Sequence, residues 1–473
     1  MKRVACLLSL LLLCAAASAS TAAPQTPAKS PAARRAAVQV PAIRHVIVIS
    51  VDGMMPATYL QPDRHGLKVP TLRELVRNCA YSEGVRGVFP TVTYPSHTSM
   101  VTGVNPGPHG IVANQPWDPY SRLEGHARWY TEDIRVPTLY QLAYAKGLRT
   151  GLIYWPVSMG AKATALVPEF WRSEEGSEED QKLQRVLSTP GLLEAVARRF
   201  PGFWPDFRPP RAGDEALTDV AVHLIETQRP HLLLLHIFDT DHFQHRDGPL
   251  AGRALHALEK ADAQIARVIA AAKKAGIWPD TLLVVLSDHG FARLSQRVRP
   301  GILLREKGLI TLDERNRVTD WKAWLLAGGG YGYIYVRDEN DYQTRQTLLD
   351  TFRPLVGRSG SGIGRVLTQE EIAALGGDRN AFLALEAADD YGIAPGYTGD
   401  YVFASAHAGH HGLLPDRPEM FASLLVCGPH VVPGKIERAR LIDVAPTVAR
   451  WLGLKLERAE GRPLPIVLRS ARR

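Results

Sequence analysis

The stretch Pro230–Pro249, PHLLLLHIFDTDHFQHRDGP, joins a long apolar run to a dense group of acidic and histidine residues. Leu232–Phe238 is almost entirely apolar, which is typical of a strand buried on both faces of a parallel sheet. Ligands of open α/β sheets lie outside the carboxyl ends of the strands. Asp241 and His245 follow this predicted strand four residues apart, so they are candidates to bind one metal ion. A solvated polar loop is the alternative for this stretch taken alone.

Other segments place similar side chains after predicted strands. Arg44–Val51, RHVIVISV, has the same buried-strand pattern and leads into Asp52-Gly53, where the glycine allows a tight exit. Thr281–Ser287 leads into Asp288-His289-Gly290, and a histidine cluster at 406–412 contains His411. Each has a structural alternative, such as a turn for Asp52 or a metal-free surface cluster for 406–412. Because parallel strands place such ends along one rim, we expect these side chains to converge.

The segment Phe89–Gly103, FPTVTYPSHTSMVTG, supplies a candidate nucleophile. Thr93 is predicted at or near a helix N-terminus, where unpaired N–H groups and the helix dipole favour an incoming phosphate. Threonine is a weak nucleophile at its free pKa, and coordination to a metal is one way to activate it. Helix capping is the structural alternative for this residue. Asn114 offers an amide donor nearby, or is simply a turn residue.

Predicted strands and helices alternate along the chain. The clearest helix is Arg253–Ala275, whose apolar residues recur on one face. It joins two predicted buried strands, as a right-handed βαβ unit does. The pattern predicts an α/β fold with a largely parallel central sheet flanked by helices. Residues at about 300–400 contain glycine-rich breaks between short elements and are predicted to form a smaller cap or insertion beside the core.

The N-terminus predicts export. Met1–Ala19 combines Lys2 and Arg3, an apolar run and small residues before a predicted cleavage after Ala19, which is the pattern of a signal peptide. An Ala/Pro-rich linker follows at 20–40. The expected location is periplasmic or secreted. No other stretch approaches the ~20 apolar residues of a transmembrane helix.

Two cysteines remain after the predicted cleavage, Cys79 and Cys427. Both neighbourhoods are apolar and predicted to be interior. A single disulfide is possible in an exported protein, but two buried thiols fit the sequence equally well.

The formal charge of +8 does not indicate a nucleic-acid-binding protein. Five of the 56 basic residues lie before residue 41 and no acidic residue does, which leaves 51 basic against 48 acidic residues. The remaining excess lies at the C-terminal end, in Arg469, Arg472 and Arg473. The predicted core is therefore close to neutral, and binding to duplex nucleic acid is not expected. The oligomeric state is not predicted.

The candidate ligands carry oxygen and imidazole groups and no thiolate, which suits Zn²⁺ and, less exclusively, Mn²⁺ or other first-row metals. They are more numerous than one tetrahedral ion with an open position accepts. Two divalent ions ~4 Å apart would use them, and such pairs act in phosphoryl transfer. The candidate ligands are Asp52, Thr93, Asp241, His245, Asp288, His289 and His411.

Six motifs follow one another along the chain: VIVISVDGM, FPTVTYPSHTSMVTG, PGPHGIVAN, DTDHFQH, LSDHGF and HHG. Together and in this order, they resemble the motifs of the alkaline phosphatase superfamily, in its type I phosphodiesterase/nucleotide pyrophosphatase family. The resemblance extends from about residue 44 to 430 and implies an alkaline phosphatase-like catalytic domain at 41–473. It implies a hydrolase acting on phosphoric ester bonds, with a small-molecule phosphodiester or nucleotide as substrate.

The resemblance also implies a role for each matching residue. Asp52, Asp288 and His289 would bind one zinc ion, which also holds Thr93. Asp241, His245 and His411 would bind the second. Thr93, which precedes the Tyr94-Pro95 pair, matches the family nucleophile and would form a phospho-threonine intermediate. Asn114 matches the donor to a phosphoryl oxygen, and Tyr94 matches an aromatic residue that packs on the substrate.

The sequence is also compatible with other functions. Ser96 stands where the family usually has Asn, and Thr240-Asp241 replaces the usual Pro-Asp, so substrate preference is not determined. A phosphomonoesterase or phosphonate hydrolase of the same superfamily would use the same metal ions. Sulfatase chemistry is disfavoured because the Thr93 segment does not match a C/S-x-P-x-R motif. A secreted metal-binding protein without catalytic activity is the alternative from another class.

Overall fold

The computed structural model describes residues 43–123, 125–170, 178–203 and 213–469. The predicted signal peptide (1–19) and linker (20–40) lie outside these ranges. Within the described ranges, the strands are β1 (His45–Val51), β2 (Ala80–Tyr81), β3 (Val85–Arg86), β4 (Thr150–Ile153), β5 (Ala165–Val167), β6 (Leu232–Ile237), β7 (Thr281–Leu286), β8 (Ala292–Val298), β9 (Ile310–Leu312), β10 (Val318–Trp321), β11 (Ala323–Ala327), β12 (Tyr331–Val336), β13 (Ile363–Thr368), β14 (Leu383–Ala387), β15 (Asp390–Ile393), β16 (Val402–Ala404), β17 (Gly409–His410), β18 (Leu424–Cys427), β19 (Gly434–Lys435) and β20 (Ala439–Arg440).

The described helices separate these strands along the chain. They are α1 (Ala57–Leu60), α2 (Pro70–Asn78), α3 (Thr93–Thr102), α4 (Pro106–His109), α5 (Leu139–Ala145), α6 (Glu178–Leu187), α7 (Leu192–Arg199), α8 (Gly213–Gln228), α9 (Asp239–Asp247), α10 (Arg253–Lys274), α11 (Gly301–Glu306), α12 (Tyr342–Phe352), α13 (Gln369–Ala374) and α14 (Val444–Leu452). The bounds of α10 and of the strands β1, β6 and β7 agree with the sequence predictions within about one residue.

The apolar runs form the centre of an eight-stranded sheet with the order β19-β2-β18-β7-β1-β6-β4-β5. β1 lies between β6 and β7 and runs parallel to both. β18 is antiparallel to β7 and to β2, so the sheet is largely and not wholly parallel. The predicted fold class is confirmed.

Side chains alternate between the two faces of this sheet along each strand, and both faces are buried. On β1, Ile47, Ile49 and Val51 face a core that also includes apolar residues of α8 and α10. Val46 and Val48 face the opposite core, which includes residues of α5 and α14. The near-continuous apolar character of the strands follows from this two-sided burial. The polar residues that follow the strands are thereby held at the rim of a rigid sheet.

Residues 300–400 contribute a second, antiparallel sheet with the order β11-β12-β14-β13. Its core includes Phe89 and Val92, which lie directly before α3 in the chain. The description of this region as an inserted cap remains a prediction. Within the described ranges, no helix combines the length and the apolar character needed to cross a bilayer.

Cys79 and Cys427 form a disulfide that links the end of α2 to the end of β18. The sequence left this pairing open. The bond joins two points that are 348 residues apart, and both cysteines are buried. It therefore restricts a long loop in the unfolded chain.

We expect the double variant Cys79→Ala/Cys427→Ala to lower the free energy of unfolding by about 2–4 kcal/mol, because the unfolded chain regains the freedom that the disulfide removes. Urea unfolding measured under oxidising conditions tests this. Reducing agent should destabilise the wild-type protein and leave the double variant unchanged. Equal stability of the two proteins without reductant would contradict the prediction.

Candidate metal centre and active site

The polar residues predicted at strand ends lie together at one rim of the central sheet. Asp52 directly follows β1, and Asp288 and His289 follow β7, its hydrogen-bonded neighbour. Gly53 has φ +68°, and a Cβ at this position would lie 2.9 Å from Phe291 Cε2. The chain can therefore leave β1 tightly only with glycine, and Gly53 N donates a hydrogen bond to Asp288 Oδ1 (3.0 Å). This contact joins the ends of the two strands.

The first candidate cluster consists of Asp52, Asp288 and His289. One ligand atom from each residue lies within 4.8 Å of the others. His289 Nε2 is 3.0 Å from Asp288 Oδ2 and 3.4 Å from Asp52 Oδ1. All three side chains are buried. The sequence predicted these three residues as one set of ligands, and the structure brings them together.

The second candidate cluster lies beside the first. The segment after β6 forms helix α9, which places Asp241 and His245 one turn apart, with 3.5 Å between Asp241 Oδ2 and His245 Nε2. His411 Nε2 is 3.6 Å from Asp241 Oδ1. The imidazole rings of His289 and His411 are stacked with their centroids 3.7 Å apart. The two predicted ligand sets are therefore adjacent parts of one centre.

Backbone carbonyls orient the three imidazoles of this centre. His245 Nδ1 bonds Gly409 O (3.0 Å), His289 Nδ1 bonds Gly290 O (3.1 Å) and His411 Nδ1 bonds Thr91 O (3.0 Å). A carbonyl oxygen only accepts, so each Nδ1 carries the proton and donates. In a neutral ring the lone pair is then on Nε2, the atom that faces the carboxylates. This arrangement is the one that a metal-binding histidine requires.

Carboxylate oxygens in both clusters fit a bound cation. Asp52 Oδ1, Asp241 Oδ1 and Asp288 Oδ2 are buried and have no hydrogen-bond partner among the described residues. Burial, followed by the negative charges of Asp288 and Asp241, raises the pKa of Asp52 well above its usual range. Burial and the neighbouring rings of His289 and His245 lower the pKa of His411 well below its usual range. A divalent cation stabilises both the ionised carboxylate and the neutral imidazole.

Thr93 is the first residue of α3, and its hydroxyl lies beside the candidate metal centre. Thr93 Oγ1 lies 3.4 Å from His289 Nε2, and the side chain is 8% exposed. One turn later, His97 Nδ1 donates to Thr93 O (2.8 Å), and its Nε2 bonds Ser50 Oγ (2.9 Å). These contacts hold the first turn of the helix against β1. The predicted nucleophile is therefore at the centre of the site.

Asn114 and Tyr94 flank this hydroxyl. Asn114 Oδ1 accepts a hydrogen bond from Tyr94 N (2.9 Å), which leaves the amide nitrogen of Asn114 as the group that can donate into the site. Tyr94 N–H is thus not available to a phosphate, and Pro95 has no N–H. Tyr94 is only 2% exposed, and its hydroxyl donates to Glu169 Oε1 (3.0 Å). The predicted substrate contacts of both residues remain predictions.

The sequence analysis missed two buried residues behind the centre, His236 and Glu169. His236 Nε2 is 3.1 Å from Asp52 Oδ2, and His236 Nδ1 is 3.5 Å from Glu169 Oε2. Although burial opposes protonation, the hydrogen bonds and charges of Asp52 and Glu169 raise the pKa of His236 well above its usual range. A histidine within the apolar run LLLLHI was the available signal for His236. Nothing in the sequence around Glu169 indicates this contact.

A cavity of about 620 Å³ opens over the centre. Its lining includes Thr93, Asn114 and residues of both clusters, together with Gly328 and Gly329 from the 300–400 region. The cavity is large enough for a small phosphate ester with substituents on both sides of phosphorus.

A family model and several curated proteins match this chain. A family model described as type I phosphodiesterase/nucleotide pyrophosphatase matches residues 46–412. Human ectonucleotide pyrophosphatase/phosphodiesterase family member 1 is 26% identical over 253 residues, which is 52% of this chain and 23% of that protein. Venom phosphodiesterase 2 of Crotalus adamanteus is 24% identical over 260 residues, covering 53% of this chain and 27% of the venom protein. The chain thus spans about a quarter of the length of these curated relatives.

Solved structures share the fold. A murine ectonucleotide pyrophosphatase/phosphodiesterase 5, an inactive variant in complex with AMP, superposes with a TM-score of 0.62 at 19% identity. The match covers 88% of this chain and 97% of the murine chain. The human counterpart gives a TM-score of 0.61 at 19% identity, with the same coverage.

Proposed function

The chain belongs to the type I phosphodiesterase/nucleotide pyrophosphatase family, and we propose that it hydrolyses phosphodiester or pyrophosphate bonds of small molecules such as nucleotides. One observation carries this proposal: Thr93 Oγ1 lies at the junction of two carboxylate–histidine clusters, within 3.4 Å of His289 Nε2. The cavity above that hydroxyl has room for a small ester. AMP in the related murine structure supports a nucleotide as one substrate class.

Two divalent metal ions, for which Zn²⁺ suits the oxygen and imidazole donors, complete this proposal. Asp52, Asp288 and His289 would hold one ion together with Thr93 Oγ1. The other ion would be held by Asp241, His245 and His411. When bound, the two ions offset negative charge on the phosphoryl group and on its attacking and leaving oxygens.

The protein side chains would act in a double displacement. Thr93 Oγ1 attacks phosphorus in line, the bond to the leaving oxygen breaks, and a phospho-threonine intermediate forms. Water then hydrolyses the bond between phosphorus and Thr93 Oγ1 and regenerates the hydroxyl. The amide nitrogen of Asn114 donates to a phosphoryl oxygen, held in place because its own Oδ1 accepts from Tyr94 N. Burial of Thr93 limits the access of competing water to the reacting atoms.

Loss of the Asn114 amide donor should reduce kcat by about 10²-fold, because one preorganised donor to a developing oxyanion contributes roughly that factor. Asn114→Asp keeps an oxygen that accepts from Tyr94 N and removes the donor, whereas Asn114→Ala removes both. We expect both variants to lose activity in steady-state kinetics on a nitrophenyl diester. Near-normal activity of Asn114→Asp would mean that Asn114 only positions Tyr94.

Rates on three substrates test the proposed function. A nitrophenyl phosphodiester and a dinucleotide should be hydrolysed faster than a nitrophenyl phosphomonoester, because the cavity of about 620 Å³ that Thr93 lines has room for a second substituent. A faster monoester would instead assign the protein to the phosphomonoesterases of the superfamily. An intact diester in the presence of zinc would indicate a metal-binding protein without turnover.

Export is part of the same proposal. The Cys79–Cys427 disulfide supports it, because disulfides form and persist in oxidising compartments. We propose that residues 1–19 direct the chain to the periplasm or the medium and are removed. N-terminal sequencing of the mature protein should begin after Ala19, and a cytoplasmic protein that retains Met1 would contradict this.

A further inference from the structure

Arg297 lines the same cavity as Thr93 and is not one of the predicted site residues. It belongs to β8, where it pairs in parallel register with Gly392 of β15. Both β8 and β15 lie outside the central sheet. The guanidinium is partly buried, and burial together with the charge of Arg299 lowers the pKa of Arg297. Arginine nevertheless stays protonated in proteins, so this wall of the cavity carries a positive charge.

Arg297 lacks a counter-ion within the described part of the chain. No described carboxylate forms an ion pair with it, its Nε is buried without a hydrogen-bond partner, and its contact with Ile393 O is long (3.5 Å). Arg417, which is also partly buried, instead bonds three carboxylates, those of Glu386, Asp389 and Glu419. Partly buried charges are normally paired. An unpaired guanidinium in a cavity of a phosphate-handling site therefore points to an anionic group on the ligand.

Gly392, the strand partner of Arg297, packs against the segment that carries the second cluster's His411. A Cβ at Gly392 would lie 3.0 Å from Leu294 Cδ1, 3.5 Å from Gly329 O and 3.7 Å from His410 Nδ1. His410 precedes the candidate ligand His411, and both histidines line the cavity together with Arg297, Asp241 and His245. Arg297 and the Asp241–His245–His411 cluster therefore border the same space. Thr93 contacts His289, which lies within reach of both Asp241 with His411 and Asp52 with Asp288.

We propose that Arg297 binds a leaving group that carries phosphate, so that this residue favours phosphoanhydrides such as nucleoside triphosphates over diesters whose leaving group carries no phosphate. This inference rests on the proposed function. In an in-line displacement the leaving group lies opposite Thr93 Oγ1, and the proposal assigns the part of the cavity beside Arg297 to that group. The Thr93 hydroxyl loses its proton to solvent as Oγ1 bonds the α-phosphorus, the bond from that phosphorus to the bridging oxygen breaks, and pyrophosphate leaves with the electron pair of that bond. Arg297 holds pyrophosphate oxygens. Water then adds its hydroxyl group to phosphorus and returns a proton to Thr93 Oγ1, which releases the nucleoside monophosphate.

Two thymidine substrates that differ in the leaving group test this inference. Thymidine 5′-triphosphate releases pyrophosphate, and the 4-nitrophenyl ester of thymidine 5′-phosphate releases a phenolate without a second phosphate. In Arg297→Gln, we expect kcat/KM for the triphosphate to fall about 10- to 100-fold relative to that for the nitrophenyl ester, as expected for loss of hydrogen bonds between charged groups. The inhibition constant of inorganic pyrophosphate against ester hydrolysis should rise by a similar factor. Normal hydrolysis of the ester also shows that the variant is folded.

Arg293→Gln is the matched control, because Arg293 lies on the same strand, its side chain is 85% exposed and it does not line this cavity. It should leave the ratio of the two kcat/KM values unchanged. Arg297→Lys keeps the charge and loses the paired donors, so its ratio should lie between those of wild type and Arg297→Gln. This variant also tests the inference if Arg297→Gln does not fold.

Three outcomes would overturn the inference and leave the proposed function intact. One is an equal fall of both rates in Arg297→Gln, another is an unchanged ratio in both Arg297 variants, and the third is a wild-type protein that hydrolyses the ester but not the triphosphate. A wild-type protein that hydrolyses neither substrate would refute the proposed function, and the role of Arg297 with it.

Discussion

Thr93→Ala should reduce hydrolysis of a nitrophenyl diester by about 10³-fold or more, the largest single effect that we expect in this protein. The variant removes the only atom that is proposed to bond phosphorus. The carboxylates and imidazoles of both clusters remain, so zinc content should stay close to that of the wild-type protein. Steady-state kinetics and elemental analysis of the purified variant measure the two quantities. Acid-quenched wild-type protein should carry a mass adduct that the variant lacks.

Thr98→Ala is a matched control for this variant. Thr98 lies on the same helix, is fully buried like its neighbours and has a hydroxyl without a partner among the described residues. Loss of that methyl and hydroxyl should leave kcat nearly unchanged. Thr93→Ser keeps a hydroxyl and should retain measurable activity. Loss of most of the zinc from Thr93→Ala with activity retained would reverse the roles that we assign.

Removal of metal by a chelator should abolish turnover, and zinc should restore it. Asp52, Asp241 and Asp288 each have a buried carboxylate oxygen without a hydrogen-bond partner among the described residues. The spacing of the two clusters fits a bound cation as the partner of these oxygens. Magnesium should not restore activity, because it prefers oxygen ligands and octahedral geometry, whereas three candidate ligands here are imidazoles. Activity before chelation, after chelation and after addition of each metal provides the measurement. A chelator-insensitive rate would indicate a mechanism without metal.

Metal removal should also lower thermal stability, because a ligand that binds only the folded state stabilises it. The unfolding temperature measured with and without chelator tests this independently of activity. His411→Asn, which removes one candidate ligand, should weaken zinc binding, whereas His256→Asn should not. His256 lies on α10, its side chain is 70% exposed, and it belongs to neither cluster. Equal zinc contents in the two variants would exclude His411 as a ligand.

Much of the candidate site could be predicted from the chain because its chemistry follows from strand ends. A buried strand such as RHVIVISV, which Asp52 directly follows, places that carboxylate at the rim of the sheet. The same holds for Asp288 and His289 after β7. The segment of Asp241 and His245 was predicted only as polar residues beyond a strand, and the structure makes it a helical turn. Because Asp241 and His245 are four residues apart, the helix places both side chains on one of its faces.

Residues that act through distant contacts could not be predicted in this way. Glu169 reaches Asp52 only through His236, which lies on a third strand. Arg297 looks like any other basic residue in the sequence, and its significance comes from the absence of a described carboxylate beside it. The Cys79–Cys427 disulfide likewise depends on bringing α2 next to β18.

The sequence alone therefore determined the α/β class, the positions of the buried strands along the chain and the types of side chain at their ends, because burial on two faces and alternation of elements are local properties of the chain. Only the tertiary structure decided which of these side chains meet, which imidazole nitrogen faces the carboxylates and which charge lacks a partner. Those properties depend on the register between strands and on contacts between residues that are up to hundreds of positions apart, such as Thr91 with His411. Local sequence patterns do not specify such distances.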